Sequence, residues 1–186
     1  MLGYPRSLRR PRLVRTAVAL GVIAAALVVT AQPASATHSS PSYYMKRYGQ
    51  NLCVDVPNGN AFAGQFIQQW GCNWSSAQIW SWKHVSTRWD GQPEWYIRPK
   101  NNLNLCLSDT GDGNVVVLKT CDPGHASRWL RGTNGSLYTI TSTYNGWRYR
   151  CLNAPNGWTN WGLKLRLSVC NGSLAQNWVM RNWAPS

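Results

Sequence analysis

Few groups in this chain can do chemistry. Its 186 residues include one glutamate, Glu94, five aspartates, three histidines, six cysteines and twelve tryptophans. Paired carboxylates can hydrolyse glycosides when held on either side of a bond, but the acid nearest Glu94 in sequence is Asp90, and a solvated hairpin accounts for both. His38, His84 and His125 lie in lead-in or loop segments with no motif around them. No Gly-x-Ser-x-Gly, His-Glu-x-x-His or phosphate-loop pattern occurs. Asp109, Asp112 and Asn114 look like a fragment of a calcium loop without its terminal glutamate, so a turn is the simpler reading. No enzymatic activity, cofactor or metal is expected. What remains is thiol oxidation and binding by flat aromatic rings.

The cysteines point to an oxidising compartment. Arg6, Arg9, Arg10, Arg12 and Arg15 precede an uncharged apolar run from Thr16 to Ala31, and Ala34-Ser35-Ala36 forms a small-residue cleavage site. This is the layout of a secretory signal peptide over residues 1–36. The apolar run, 16 residues, is shorter than the roughly 20 needed to span a bilayer, so no membrane span is expected after cleavage, and the mature protein is expected to be extracellular. All six cysteines lie beyond the cut, and an even count behind a leader implies disulfides. Without the leader's five arginines, 14 basic side chains face 6 acidic ones, a net charge of +8. That excess favours acidic surfaces such as anionic polysaccharide. The basic residues are scattered, with no run and no helix to carry them, and no nucleic-acid partner is expected.

Behind a Ser-, Thr- and Pro-rich lead-in over residues 37–42, expected to be disordered, one interval governs the chain. Trp80, Trp129 and Trp178 are 49 residues apart, and so are Cys72, Cys121 and Cys170. Two landmarks of different chemistry keeping one period mark repeated supersecondary units, none of which can bury its apolar face alone. Repeats over about 43–88, 89–134 and 135–186 follow. The period also pairs the cysteines within each unit: Cys53 with Cys72, Cys106 with Cys121 and Cys151 with Cys170. Each unit opens with an aromatic-rich segment, Tyr43-Tyr44-Met45-Lys46, Trp95-Tyr96-Ile97-Arg98 and Leu137-Tyr138-Thr139-Ile140. Cysteine-hydrophobic-polar follows, then a turn, an apolar segment reaching the second cysteine, and a closing segment beginning at the periodic tryptophan. Short β-branched or aromatic segments between Gly, Asn, Asp and Pro turns predict an all-β fold of about four strands per repeat. Trp80, Trp129 and Trp178 are expected in the core, where a repeated aromatic removes much area from water. Trp74, Trp89, Trp147, Trp158 and Trp161 fall in turn-like segments, where exposed aromatics mark binding surfaces.

Three units with Cys-Val-Asp, Cys-Leu-Ser or Cys-Leu-Asn, a second cysteine and Gln-x-Trp, or Ser-Arg-Trp in the second unit, resemble the ricin B-type lectins and the related family 13 carbohydrate-binding modules. The resemblance runs from Tyr43 to about Trp183. It implies a β-trefoil: a six-stranded barrel capped by three hairpins around a pseudo-three-fold axis.

It also implies a carbohydrate site on each unit. A sugar offers hydroxyls around its rim and C–H groups on its face, which suits a carboxylate, an amide and a flat ring. In the family, the carboxylate stands two residues after the first cysteine and the aromatic two before the second. The first unit keeps both, as Asp55 and Trp70, with Gln68 as the supporting amide; Ala77 stands where such lectins often carry asparagine. In the second unit Ser108 replaces the carboxylate, although Asp109 is adjacent, and Lys119 replaces the aromatic. In the third, Asn153 and Ser168 take these positions, while Trp158 and Trp161 offer that unit another stacking surface. Gln78 and Gln176 complete the carbohydrate-binding set as braces of a pocket or partners for buried backbone. The expectation is a non-catalytic carbohydrate-binding protein working mainly through its first unit. The other reading is a toxin-delivery or adhesion subunit with a protein partner, as related trefoils serve in cytolethal distending toxin.

Overall fold

A computed structural model of the chain describes residues 41–111, 113–132, 137–139 and 149–182, with the backbone alone described at 125 and 137–139. The proposed leader, lead-in residues 37–40, His38, Asp112, Trp147 and Trp183 lie outside the described residues. The expected segments become strands. The first repeat contributes β1 (Ser42–Arg47), β2 (Leu52–Asp55), β3 (Gln68–Gly71) and β4 (Ile79–Thr87). The second contributes β5 (Pro93–Pro99), β6 (Leu105–Ser108), β7 (Val117–Thr120) and β8 (Trp129–Arg131). The third contributes β9 (Leu137–Thr139), β10 (Arg150–Asn153), β11 (Leu163–Lys164), β12 (Arg166–Val169) and β13 (Trp178–Asn182). Ser42, assigned to the lead-in by composition, opens β1 because it pairs with Ser81 of β4.

Every pairing of named strands is antiparallel. The run β13–β1–β4–β5–β8–β9 supplies six barrel strands. The hairpins β2–β3, β6–β7 and β10–β12 cap them. At the axis, each repeat hands one backbone bond to the next: Ile67 N–H donates to Val116 O, Val116 N–H to Leu165 O and Leu165 N–H to Ile67 O, each at 2.9 Å. The three residues are 49 apart and fully buried. The ring closes only when all three repeats are present. This is the β-trefoil that the resemblance implies.

The periodic tryptophans tie each cap to the barrel. All three are at most 1% exposed. Their indole N–H groups donate to the carbonyls of Val54 (3.0 Å), Leu107 (2.7 Å) and Leu152 (2.9 Å). A large ring thus fills the core while its one polar atom finds a partner, as a buried tryptophan requires. Each acceptor immediately follows the first cysteine of its repeat, so the bond fixes the strand just before the position where a carboxylate is expected. The disulfides join Cys53 to Cys72, Cys106 to Cys121 and Cys151 to Cys170, as the period predicts. In the chain-entropy account, each contributes ~3 kcal/mol by restricting the unfolded chain.

Trp129→Ala should therefore destabilise the protein by ~3–5 kcal/mol, the usual cost of truncating a buried aromatic. Denaturant unfolding with the disulfides intact measures it; a loss below about 1 kcal/mol would remove this indole from the set of core anchors.

Candidate functional site

The first hairpin brings the sequence-predicted residues together. Asp55 and Gln68 are directly opposed across β2 and β3, and Trp70 is the partner of Cys53. Asp55, Gln68 and Trp70 line one open pocket of about 310 Å³ with Asn58, Asn73 and Ser76. The floor is held by amides: Gln68 Nε2 donates to Asp55 Oδ1 at 2.8 Å, and Gln78 Nε2 donates to Asp55 Oδ2 at 3.2 Å. Gln78 is fully buried and also bonds Gly71 O and Asn73 N, so it braces the carboxylate and the turn from behind rather than facing the pocket.

Asp55 is 4% exposed. Burial pushes its carboxyl above the usual value of 3.8, while the donated bonds from Gln68 and Gln78 pull it back. Each oxygen accepts one amide bond and keeps a further lone pair. That leaves an acceptor aimed by the protein yet unsaturated.

The turn that shapes this wall is sequence-encoded. Pro57–Gly59 forms a 3-10 turn with Asn58 at φ 55°, a left-handed conformation that asparagine tolerates. The same Pro-Asn-Gly turn recurs at Pro155–Gly157. There, Asn153 and Ser168 line a pocket of about 640 Å³ that also meets Tyr48 of β1's following turn. Gln176 is buried like Gln78, bonding Asn171 N and Val169 O, and again stands behind the pocket.

The second repeat has exchanged both partners of the buried pair. Ser108 replaces the carboxylate, Ser127 replaces the glutamine, and their hydroxyls meet at 2.9 Å. Asp109 does not restore an acid here: its Oδ1 accepts Gly111 N–H within the turn, and burial raises its carboxyl above the usual value. Of Glu94 and Asp90, expected as a solvated hairpin, only Glu94 differs from that expectation, and Asp90 stays exposed in the turn. Glu94 is buried and accepts from Arg128 Nη1 at 2.8 Å and Ser86 Oγ at 2.5 Å, because β4 and β5 carry it against the second repeat's closing turn. Asp90 pairs with Arg88 at 3.4 Å.

Trp158 and Trp161, read as a surface of the third repeat, are partly redirected. Trp161 packs against Trp70 of the first repeat, ring centroids 5.4 Å apart and planes 42° to one another. Two residues that sequence reasoning missed put it there. Arg47 is 4% exposed; its Nη1 donates to Trp158 O and Gln69 Oε1 and its Nη2 to Gly157 O. Gln69, fully buried, donates from Nε2 to Trp158 O and Asn160 O. Their partners are mostly backbone carbonyls about 90 to 110 residues away, so no local pattern could have flagged them. Trp74, Trp89, Trp158 and Trp161 are all more than half exposed.

The comparisons with known proteins agree with this fold. The chain belongs to the ricin-type β-trefoil lectin domain family, whose profile matches residues 41–178. Among solved structures, it is similar to the designed three-fold symmetric protein ThreeFoil (18% identity, 76% of this chain and 99% of that one, TM-score 0.64). It is likewise similar to the C-half of the earthworm R-type lectin, solved with GalNAc (15% identity, 77% and 99%, TM-score 0.57). The Vibrio vulnificus hemolysin/cytolysin β-trefoil lectin, solved with N-acetyl-D-lactosamine, is similar at 17% identity (78% and 97%, TM-score 0.58). At these identities the likeness concerns the fold. No curated protein matches the sequence.

Because the Gln78 amide favours the ionised carboxylate, Gln78→Leu should move the Asp55 carboxyl still further upward. Carbon-13 NMR titration of the side-chain carboxyl reads the shift; an unchanged or lower value would show that the amide does not stabilise the charge.

Proposed function

We propose that this protein is a secreted, non-catalytic carbohydrate-binding lectin acting chiefly through its first repeat. The family membership supports the lectin class. The observation that carries the assignment to this repeat is the shared pocket of Asp55, Gln68 and Trp70, with both carboxylate oxygens oriented by amides. Sugar hydroxyls donate to Asp55, the Gln68 amide oxygen accepts a neighbouring hydroxyl, and the indole of Trp70 packs on the C–H face of the ring. The binding residues are neutral amides, one acid and aromatic carbon, so the chemistry needs no metal or cofactor. The net charge of +8 draws the protein toward acidic polysaccharide and cell-wall surfaces. Disulfides in all three repeats fit an extracellular setting.

The second and third repeats are weaker on the same chemistry. Lys119 and Ser168 give no flat ring, and Ser108 and Asn153 give no charged acceptor.

A glycan array followed by calorimetry on the recognised sugar tests the assignment. Asp55→Asn and Trp70→Ala should each weaken binding tenfold or more, the scale of one charged hydrogen bond or one ring contact at ~1.5–3 kcal/mol. Wild-type binding should also fall as the pH drops through the Asp55 value, which lies above 3.8, because protonation removes the acceptor; Asp55→Asn should lack this transition. Full binding by both variants would dismiss the first-repeat site.

A further inference from the structure

The first-repeat pocket does not end at its own repeat. Trp161 comes from the β10–β11 connection of the third repeat, yet its ring lies against Trp70, and it is 66% exposed. It is also seated on bare backbone. A Cβ placed on Gly71 would fall 2.7 Å from Trp161 Cζ2 and 2.9 Å from Cε2, so glycine at this position of β3 is what lets the indole lie there. Gly162, at φ 75°, brings the next stretch of backbone beside the same pocket, where a Cβ would meet Trp70 Cζ3 at 3.6 Å and Gln68 Oε1 at 3.8 Å.

The connection is held without Trp161's help. Arg47 and Gln69 hold the carbonyls of Gly157, Trp158 and Asn160, and Gly162 N–H donates to Gln69 O at 2.9 Å. Burying an arginine and a glutamine to fix a surface loop carries a desolvation cost that these bonds offset. An indole kept two-thirds in water on so fixed a loop is preorganised surface.

We infer that Trp161 forms a second saccharide subsite, so that the composite site takes a glycan chain of at least two units, one over Trp70 and the next over Trp161. The inference rests on the first-repeat binding reading. The two rings, at 5.4 Å and tilted by 42°, form an angled surface on the scale of adjoining pyranoses in a twisted chain. Single sugars then use Asp55, Gln68 and Trp70 alone, while oligosaccharides gain the third-repeat ring.

Calorimetry with three matched pairs tests this: D-galactose with β-1,4-galactotetraose, D-xylose with β-1,4-xylotetraose, and N-acetyl-D-glucosamine with chitotetraose. Wild type should bind at least one tetrasaccharide more tightly than its monosaccharide. Trp161→Ala should lower that tetrasaccharide affinity about tenfold while changing the monosaccharide less than twofold, and Trp161→Phe should recover most of the loss. Gly71→Ala, which pushes the indole off its seat without deleting it, should reproduce the split. Equal losses on both lengths would mean that Trp161 only orients Trp70, and an unchanged tetrasaccharide affinity would remove the subsite; either result overturns the inference. Failure of the underlying site is separately visible, as undiminished monosaccharide binding in Asp55→Asn and Trp70→Ala or no wild-type binding to any of the six sugars, and it too overturns the inference.

Discussion

The closed ring of backbone hydrogen bonds joining Ile67, Val116 and Leu165 constrains everything built around it. Each residue is completely buried, and each gives its N–H to one neighbour and its C=O to the other. A buried amide left without a partner costs more than the bond itself contributes. Removing one repeat would therefore orphan groups in both others. The ring explains why the period survives where it does: the second cysteines follow these residues by five positions and the core tryptophans by thirteen, in all three repeats. The first cysteines, on the far side of the hairpin, are free of that constraint. Their separation from the second is 19, 15 and 19 residues.

A symmetric frame thus supports hairpins that have diverged. In the first, a carboxylate is bracketed by two glutamines. In the second, with its hairpin four residues shorter by cysteine separation, acid and glutamine have both become serine, and the hydroxyls satisfy one another. A buried carboxylate is tolerable only with donors around it. Losing the glutamine without the acid would leave the carboxylate short of a donor, whereas the reverse is met in the third repeat, where Asn153 stands in the acid's place and Gln176 bonds Val169 O and Asn171 N. In the second repeat, the paired change at Ser108 and Ser127 keeps both buried positions satisfied without a carboxylate.

The frame also lets repeats cooperate at the surface. Arg47 of β1 and Gln69 of β3 grip the third repeat's Pro-Asn-Gly turn and the residues after it. That grip carries Trp161 out of its own repeat and onto Trp70. Symmetry alone would assign each loop to its own hairpin. The asymmetry comes from one buried cation and one buried amide, Arg47 and Gln69, which donate to backbone oxygens of the neighbouring repeat.

Sequence by itself determined the number of units, the cysteine pairing and the buried status of Trp80, Trp129 and Trp178, while the grouping of Asp55, Gln68 and Trp70 came from the resemblance to the ricin B-type lectins. The periodic properties recur at a fixed spacing, which is what makes them legible, and the grouped site residues lie across one hairpin. Tertiary structure alone decided that Gln78 and Gln176 stand behind their pockets, that Glu94 is buried in an ion pair rather than solvated, and that Trp161 belongs beside the first repeat. Each of those depends on which polar groups, backbone or side chain, meet when the three units close, and a buried donor takes the nearest free acceptor in space, whatever its distance along the chain.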